Sequence, residues 1–407
     1  MNDQTIAAQR TVLCVNAGSS SLKLAQYALG DGEERSLIDG TVEEISAAQG
    51  RLRLHAADRP EQVELGQFPN HELALDVLLK RFAEHNMPQP DAAGHRVVHG
   101  GSDYQGPVLI TPTVLERIRK LTHLAPLHLP ANLAGINALS ARLPNLPQVA
   151  CFDTAFHSRM PDVAKQLPLP DTFWDQGLRR YGFHGLSYEY VLGELTDGEI
   201  GRTIIAHLGN GASLAAIRDG MPLDTTMGFT PTGGVMMGSR SGDLDPGVLV
   251  YLMREYGYDA DAIERLVNHE AGLQGVSGVT SNMEILLDSA QDLRCREAVE
   301  LFVYQIHKAI GGLAAVLSGL DTLVFTGGIG EHAAPVRAMI CEGLKHLGVR
   351  FDPACNRRHE HCISVANAEC RVLVVPTNEH LMIARHTKSV LEQAAQENRT
   401  QPKAEKI

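Results

Sequence analysis

Two stretches of the chain share one pattern, in which a hydrophobic strand runs into a Gly/Ser turn and a second strand leaves it. The first stretch covers residues 11–29 and the second roughly 203–218, and Ser21 of the first aligns with Ser213 of the second. A third glycine turn follows a hydrophobic strand at 323–330. Backbone N–H groups in such turns form an anion-binding concavity, and glycine lets the backbone approach a ligand closely. The pattern therefore predicts two similar halves that hold a phosphate chain from both sides.

Helices and strands alternate through the rest of the chain. Apolar residues at helical spacing, such as Leu73 and Phe82, predict an amphipathic helix over 70–87. Pro112 stands just inside a Thr111 N-cap, which marks a helix start. Further helices are predicted at 132–142, 185–196 and from about 379, and strands at 93–99, 148–152, 322–326 and 371–376.

Some segments fall outside this alternation. Residues 225–247 are rich in glycine and have no clear period, but they are not polar enough for a disordered linker, so a long functional loop is predicted. Residues 1–10 and 394–407 predict a loose extension and a frayed tail. Residues 158–182 are rich in proline and aromatic residues and mark a domain border.

A chain of 407 residues is too long for one ordinary core, so two domains are expected. We predict an N-terminal domain over 11–157, completed by a C-terminal helix at 386–400, and a C-terminal domain over 158–385. Strands, hairpins and helices in two similar halves indicate an α/β protein built from a duplicated unit. The cleft between such halves is the default ligand site.

Charge and composition narrow the function classes. The formal net charge of −12 argues against a nucleic-acid surface and against binding to anionic membranes. The N-terminus lacks the apolar stretch of a secretory signal, and the longest apolar run, 309–320, is too short to span a bilayer and predicts a buried helix. Seven scattered cysteines are typical of a reducing cytoplasm. We therefore expect a cytoplasmic protein.

One cluster leaves two interpretations open. Cys355, His359, His361 and Cys362 lie close together in sequence and could form a metal site. Their spacing fits no standard zinc pattern, and charged residues stand between them, which favours a polar surface loop.

Candidate chemistry is carried by charged residues near glycine turns. The chain has no P-loop motif and no Gly-x-Gly-x-x-Gly opening a helix after the first strand, so it is neither a P-loop enzyme nor a Rossmann dinucleotide binder. Arg96 and Arg240 stand in Gly-flanked turns, where a guanidinium group can grip a carboxylate or phosphoryl group. Asp153 and His184 stand at apolar strand or turn edges, and each is equally consistent with a structural role.

At this point six blocks carry a resemblance to the acetate kinase (acetate and propionate kinase) family. In order they are 16–23 (NAGSSSLK), 180–185 (RYGFHG), 207–211 (HLGNG), 238–246 (GSRSGDLDP), 325–331 (FTGGIGE) and 377–379 (TNE). The resemblance runs from about residue 11 to about 390. It implies a duplicated actin-like ATPase (ribonuclease H-like) fold of two domains, with the active site in the cleft between them and the nucleotide in the C-terminal domain.

The resemblance also implies site residues. The catalytic positions are Asp153, His184 and Arg240. Acyl-substrate positions are Arg96, Val98, Leu127, His128, Phe183 and Pro231. Nucleotide positions are Lys23, His207, Leu208, Gly209, Asn210, Gly211, Asp292, Leu293, Arg294, Gly328, Ile329, Gly330, Glu331 and His332. Asn16 and Glu379 are implied to hold Mg²⁺, or Mn²⁺ in its place, with Ser21 near the first phosphate turn.

The implied reaction is reversible phosphoryl transfer from ATP to acetate, giving ADP and acetyl phosphate, in a homodimer. A carboxylate with a pKa near ~4.5 is already ionised at pH 7, so the nucleophile needs no general base. Two arginines, a histidine and Mg²⁺ would offset the repulsion between two anions. Asp153 is then expected to orient an arginine or the phosphoryl group. The alternatives are a propionate or short-chain acyl kinase, and an actin- or Hsp70-like ATPase switch.

Three positions depart from the family pattern. Leu129 stands where asparagine is usual, which predicts a local change near the substrate entrance. His332 also replaces asparagine, in the adenosine loop, and Ser239 replaces a common threonine.

Overall fold

The computed structural model describes residues 9–30, 32–56 and 59–400. Most of the predicted N-terminal extension, residues 1–8, and the end of the predicted tail, residues 401–407, lie outside the described residues. The described chain forms two compact units: the first runs through Ala155 and resumes at Asn378, and the second covers Phe156–Thr377. The sequence had placed these borders at 157/158 and 385/386.

The first unit is built on a mixed eight-stranded sheet in the order β5-β4-β3-β2-β1-β6-β8-β7. Its strands are β1 Arg10–Ala17, β2 Ser21–Leu29, β3 Glu34–Glu43, β4 Gly50–Ala56, β5 Gln62–Gly66, β6 Ala92–Val97, β7 Val108–Leu109 and β8 Gln148–Phe152. Its first helices are α1 His71–Glu84, α2 Pro112–Lys120 and α3 Leu129–Arg142. The predicted hairpin is confirmed, since β1 and β2 pair antiparallel.

The parallel strands of the first unit position its polar residues. β1 runs parallel to β6, and β6 runs parallel to β8. The carboxyl ends of parallel strands lie at one edge of a sheet, where open α/β sheets bind ligands. Asn16, Arg96 and Asp153 stand at these three ends and so share that edge.

The second unit carries a five-stranded sheet in the order β11-β10-β9-β12-β13. Its strands are β9 Arg202–Leu208, β10 Ala212–Arg218, β11 Met221–Thr225, β12 Thr322–Thr326 and β13 Arg371–Val374. Its helices are α4 Asp162–Lys165, α5 Asp171–Asp175, α6 Gly185–Glu194, α7 Pro246–Glu255, α8 Ala260–Arg265, α9 Gly272–Ser277, α10 Met283–Asp288, α11 Leu293–Leu317, α12 Gly327–His332, α13 Ala334–Gly343 and α14 Pro353–Arg357. A last helix, α15 Glu379–Thr400, belongs to the first unit.

The two sheets repeat one arrangement, which confirms the duplicated fold. In the first unit β1 pairs antiparallel with β2 and parallel with β6. In the second, β9 pairs antiparallel with β10 and parallel with β12. Each hairpin therefore presents its glycine turn at the edge where the next parallel strand ends.

Core packing follows the strand alternation. Leu13 and Val15 of β1 pack with Leu78 and Phe82 of α1 in one buried cluster. On the opposite face of β1, the Cys14 thiol donates to the backbone oxygen of His380 in α15. The helix at 70–87 is confirmed, but Leu73 is 40% exposed and lies off its apolar face. Within the described residues, no helix is both long and apolar enough to cross a membrane.

Candidate active site

The centre of the site in the first unit is an arginine–carboxylate pair. Arg96, near the end of β6, donates from Nε to Asp153 Oδ1 at 3.1 Å and from Nη2 to Asp153 Oδ2. The side chain of Asp153 is only 1% exposed, so water cannot replace these bonds. The parallel register, which pairs Arg96 with Cys151 two residues before Asp153, brings the two groups together. Asp153 therefore holds the guanidinium plane in one orientation.

Two further predicted residues surround Arg96. Its Nη1 donates to Asn16 Oδ1 at 3.3 Å, and its Nε lies 3.8 Å from Glu379 Oε2 at the start of α15. Lys23 is exposed on β2, directly opposite Asn16 in the hairpin register. The structure thus gathers the predicted metal ligands and two predicted cations at one edge of the first sheet.

The charges in this cluster are strongly coupled. Burial raises the pKa of Asp153 to about 6, with Glu379 adding to the rise and Arg96 opposing it. Burial alone would lower the pKa of Arg96, but the attraction of Asp153 and Glu379 outweighs burial and raises it. Both groups are therefore charged at pH 7.

Asn16 and Glu379 both contact Arg96 and offer an amide oxygen and a carboxylate, the kinds of ligand that Mg²⁺ prefers. Among the residues described by the structure, no group of three or more His, Cys, Asp or Glu side chains is placed to hold a metal. Mg²⁺ usually binds through one or two carboxylates, with substrate phosphates and water completing its shell. The residues present fit that mode.

The predicted acyl-pocket residues of the first unit are Val98, two residues after Arg96, and Leu127 and His128, just before α3. Val98 is buried, and its backbone N–H donates to Asn132 Oδ1 at 3.0 Å. Leu127 and His128 are half-buried in the turn before α3. Leu129 is fully buried as the first residue of α3, so its side chain contributes to packing where an asparagine would need a hydrogen-bond partner.

Sequence reasoning missed two residues of the first unit. Asn132, buried in α3, also donates from Nδ2 to the oxygen of Ala17 at 2.7 Å and so links the ends of β1 and β6. A lone amide on an otherwise apolar helix face was the available signal. His380 follows Glu379, and burial lowers its pKa to about 4, so its ring is neutral near Lys23 and Arg96.

His184 is the first predicted residue of the second unit. It has φ of 61°, a left-handed conformation that is uncommon outside glycine, just before α6. Its Nδ1 lies 2.8 Å from Ser213 Oγ, and its ring stacks on His207 with centroids 4.2 Å apart. His207 Nδ1 in turn lies 2.8 Å from Ser187 Oγ. The strained backbone and these contacts fix the position of the His184 ring.

His184 and Arg240 face one small space beside Gly211. A methyl group placed on Gly211 would lie 3.3 Å from His184 Nε2 and 3.5 Å from Arg240 Nη1. Both nitrogens therefore converge on the same side of Gly211, where the lack of a side chain leaves the backbone open to a ligand. Arg240 Nη1 also donates to the backbone oxygen of Pro231 at 3.1 Å, which brings a predicted acyl-pocket residue to the same place. This arrangement can bind an anion.

Phe183, the residue before His184, is fully buried. Its carbonyl oxygen lies 3.0 Å from Nε2 of the buried His157, whose pKa is lowered to about 4 by burial. A neutral His157 therefore anchors the backbone that carries Phe183 and His184.

The second and third glycine turns meet. Gly327 has φ of +75°, and a side chain on it would lie 2.8 Å from the oxygen of Leu208, so only glycine fits. A pocket of about 760 Å³ opens beside these turns. Its lining residues are Gly209, Asn210, Ser281, Asn282, Met283, Glu284, Leu287, Asp288, Gly328, Ile329, His332, Ala333 and Pro335. This pocket is large enough for a nucleotide base and sugar.

Some predicted nucleotide residues do not line this pocket. Asp292 caps α11 by accepting from the backbone N–H of Arg294 at 2.8 Å, and Leu293 points outward. Glu331 Oε1 accepts from the N–H groups of Gly327 and Thr377, and thus braces α12. The neighbouring Gly330 is buried and is not among the lining residues of the pocket.

Residues 281–288 line the pocket and were not predicted to do so. Asn282 caps α10, accepting from Glu284 N at 2.9 Å. The capping asparagine could have been recognised as a helix start, but nothing local shows which surface that helix joins.

The histidines of the Cys355–Cys362 cluster make local contacts. His359 Nδ1 lies 2.9 Å from the oxygen of Glu331 and 3.1 Å from Arg337 Nη2, and His361 Nε2 lies 3.5 Å from Glu199. Cys362 is exposed and Cys355 is half-buried.

Comparison with known proteins matches this geometry to one family. The family model described as the acetokinase family matches residues 11–385. The acetate kinase of Methylocella silvestris is 43% identical over 401 residues, which cover 95% of this chain and 99% of that protein. The crystal structure of Porphyromonas gingivalis acetate kinase has a TM-score of 0.83 and 38% identity, and that of a Francisella tularensis propionate kinase has 0.87 and 35%. Each alignment covers 94% of this chain and 100% of the other.

Proposed function

Because the chain belongs to the acetokinase family, we propose that it transfers the terminal phosphoryl group of ATP to acetate, reversibly, giving acetyl phosphate and ADP. The observation that carries this proposal is the convergence of His184 Nε2 and Arg240 Nη1 on one side of Gly211, 3.3 and 3.5 Å from the position that a side chain there would take. The chain is a kinase with a carboxylate acceptor. Its site must therefore lower the repulsion between that carboxylate and the phosphate groups of ATP.

The chemistry needs charge neutralisation more than proton transfer. Acetate is ionised at neutral pH, so no base has to activate it. His184 and Arg240 donate hydrogen bonds to the phosphoryl oxygens, where negative charge spreads in the transition state. Arg96 attracts the acetate carboxylate, and the buried Val98 and Phe183, with Leu127 and Pro231, accommodate its methyl group.

Asp153 is proposed to orient Arg96. Its two carboxylate oxygens are occupied by Arg96 Nε and Nη2, a geometry that fixes a guanidinium plane and leaves no proton to transfer. A solvent deuterium isotope effect on kcat close to unity would support this role, whereas a large effect that disappears in Asp153→Asn would show general acid–base catalysis.

Asn16 and Glu379 are proposed to hold Mg²⁺, or Mn²⁺ in its place. When bound, the ion offsets the negative charge of the nucleotide phosphates. Lys23 and the turn from His207 to Gly211 bind those phosphates, and the pocket lined by Gly328, Ile329 and His332 takes the adenosine.

The acid side of the pH profile should be set by Asp153. With its pKa near 6, protonation below that pH releases Arg96, so kcat/KM for acetate should fall as the pH drops from 7 to 5. Acidification should change folding stability in the opposite direction to kcat/KM. The folded-state pKa lies above the ordinary 3.8, so folding favours the protonated form, and the contribution of Asp153 to stability is lost as the pH rises through 6.

Two measurements check this prediction. Steady-state kinetics from pH 5 to 8 should show an acid limb in the wild type and none in Asp153→Asn. Thermal unfolding at the same pH values should show no loss of stability attributable to this group on acidification. An identical acid limb in both proteins would assign the limb to another group.

Acyl hydroxamate formation tests the proposed activity directly. Purified protein with ATP, MgCl₂ and hydroxylamine is expected to convert acetate to its hydroxamate. ATP hydrolysis that is independent of any carboxylic acid would overturn the proposal and indicate an ATPase switch. Replacing ATP by GTP in the same assay measures the nucleotide preference of the protein.

Propionate is the second candidate acceptor, favoured by the similarity to the Francisella tularensis propionate kinase. One methylene group is worth only about 1–3 kcal/mol of discrimination in an apolar pocket. The ratio of kcat/KM values for acetate and propionate decides between them, and a ratio above one supports acetate.

We also propose a cytoplasmic homodimer. No disulfide joins the seven cysteines, all of which lie in the described part of the chain, as expected in a reducing compartment. Helix α7 buries none of its residues and exposes Val248, Tyr251 and Met253. Such a patch is typical of an interaction surface. Light scattering should give a dimer for the wild type and a smaller mass for Tyr251→Lys with Met253→Lys.

A further inference from the structure

Three side chains in hydrogen-bond contact form a row that begins at the predicted catalytic residue His184. His184 Nδ1 lies 2.8 Å from Ser213 Oγ, and Ser213 Oγ lies 2.5 Å from Tyr188 Oη. Tyr188, in α6, and Ser213, in β10, are both fully buried. All three residues belong to the second unit, and only His184 was recognised from the sequence as a candidate for chemistry.

The hydroxyl hydrogens of Tyr188 and Ser213 can be placed by counting the hydrogen-bond partners of each group. Ser213 Oγ is the one side-chain partner of Tyr188 Oη among the residues that the structure describes. Burial raises the pKa of Tyr188 far above its ordinary value, so the hydroxyl keeps its proton. A buried donor without an acceptor costs about 1–3 kcal/mol, so Tyr188 donates to Ser213.

The hydrogen of Ser213 then has one acceptor available. If His184 carried its proton on Nδ1, Ser213 would receive two hydrogen bonds and its own buried hydroxyl hydrogen would have no acceptor. Ser213 therefore donates to Nδ1, which must be the unprotonated nitrogen.

We infer that Tyr188 and Ser213 act as positioning residues that hold His184 in the tautomer with its proton on Nε2. This inference rests on the proposed function and deepens it. Nε2 is the nitrogen that faces the space beside Gly211 together with Arg240 Nη1. A neutral imidazole with the other tautomer would present a lone pair to the phosphoryl oxygens and repel them. The hydrogen bonds from Tyr188 to Ser213 and from Ser213 to His184 Nδ1, here called the relay, ensure that His184 presents a donor at Nε2.

The packing around the ring supports this assignment. The left-handed backbone of His184 and its stacking on His207 restrict the ring position, so a change of tautomer cannot be compensated by a simple ring flip. The hydroxyl of Ser213 is thus the group that selects between the two tautomers.

Ser213→Ala removes the donor to Nδ1 and is the principal test. With ¹⁵N-labelled histidine, the His184 ring signals are identified by their absence in His184→Gln. At pH 7.5 the wild type should show an unprotonated Nδ1 and a protonated Nε2, and Ser213→Ala should show exchange between tautomers. Its kcat should fall by about tenfold, with KM for acetate and ATP nearly unchanged.

Tyr188→Phe and Thr203→Val complete the series. Tyr188→Phe keeps the serine donor but loosens its direction, so its kcat should lie between those of Ser213→Ala and the wild type. Thr203 on β9 has a buried hydroxyl with no hydrogen-bond partner in the described structure, so Thr203→Val is a matched control with unchanged kcat and tautomer.

The outcomes separate this inference from the proposed function. A wild-type His184 protonated on Nδ1, or on both nitrogens, would overturn the relay even in a fully active enzyme. A folded Ser213→Ala with unchanged kcat would do the same. A wild type that phosphorylates no carboxylic acid would overturn the function, while the ring spectrum would still decide the tautomer.

Discussion

Replacing Arg240 by leucine is expected to lower kcat by about a thousandfold or more, within the range that a transition-state arginine contributes to phosphoryl transfer. Arg240 Nη1 and His184 Nε2 converge on the same side of Gly211, and the substitution removes the positive charge that the arginine brings there. The KM for ATP should change little, because the pocket proposed for the adenosine is lined by other residues.

The backbone of the Arg240 loop should survive the substitution. The Met237 N–H donates to the oxygen of Arg240 at 3.1 Å, and the Gly238 N–H donates to the oxygen of Asn210 at 3.0 Å. These bonds do not involve the side chain, so thermal unfolding should be close to that of the wild type.

Arg265→Leu is the control, because it removes an arginine side chain that lies outside the site. Its guanidinium pairs with Glu270 at 3.3 Å on an exposed surface, where ion pairs contribute about 0–1 kcal/mol. Steady-state kinetics and a melting curve of both variants complete the test. Loss of activity in Arg240→Leu that merely follows loss of fold, or a kcat within a few-fold of wild type, would contradict the assigned role.

Arg96→Leu is expected to damage stability as well as catalysis. A role in holding acetate predicts a higher KM for acetate. The structure adds that Asp153, only 1% exposed, would lose its paired charge. Breaking a buried ion pair by removing one partner costs about 3–5 kcal/mol. For a unit of this size that corresponds to a fall of roughly 6–20 °C in the melting temperature.

The double variant Arg96→Leu with Asp153→Leu separates the two effects. Removing both charges should recover most of the stability, because a buried pair can be replaced by apolar groups at little cost. Activity should stay lost. A double variant no more stable than Arg96→Leu would show that the cost comes from packing and not from the unpaired carboxylate.

The chain offers a matched control in Arg142, which makes the same two-bond contact with Asp76 at 2.7 Å on the surface of the first unit. Since both side chains are partly exposed, Arg142→Leu should cost less than about 1 kcal/mol. The difference between the two arginine variants measures what burial contributes.

Local elements were predictable because their signals are local. The hairpin at 11–29 alternates around a glycine turn, and Thr111 with Pro112 marks the start of α2, where the threonine side chain accepts from Val114 N. The strand at 148–152 is confirmed residue by residue. Leu73 was misplaced because helical spacing alone does not show where the apolar face of a helix ends.

Contacts between distant residues were not predictable from pattern. Ser213 was noticed only as a marker of the repeat, yet it lies against His184 because β10 and α6 pack on one another within the second unit. Asn282 lines the pocket proposed for the nucleotide while Asp292 does not, although both cap the start of a helix in a similar way.

By itself, the sequence determined the paired glycine turns and the duplicated α/β units, because turn chemistry and strand alternation act over a few residues. Its resemblance to a known family then suggested which charged residues serve phosphoryl transfer. Only the tertiary structure decided which partners those residues have. The register of β6 on β8 joins Arg96 to Asp153, and the packing of α6 on β10 gives His184 its serine. Burial then determines the protonation states and hydrogen-bond directions of these residues. A buried polar group must find its hydrogen-bond partner among the neighbours that the fold supplies.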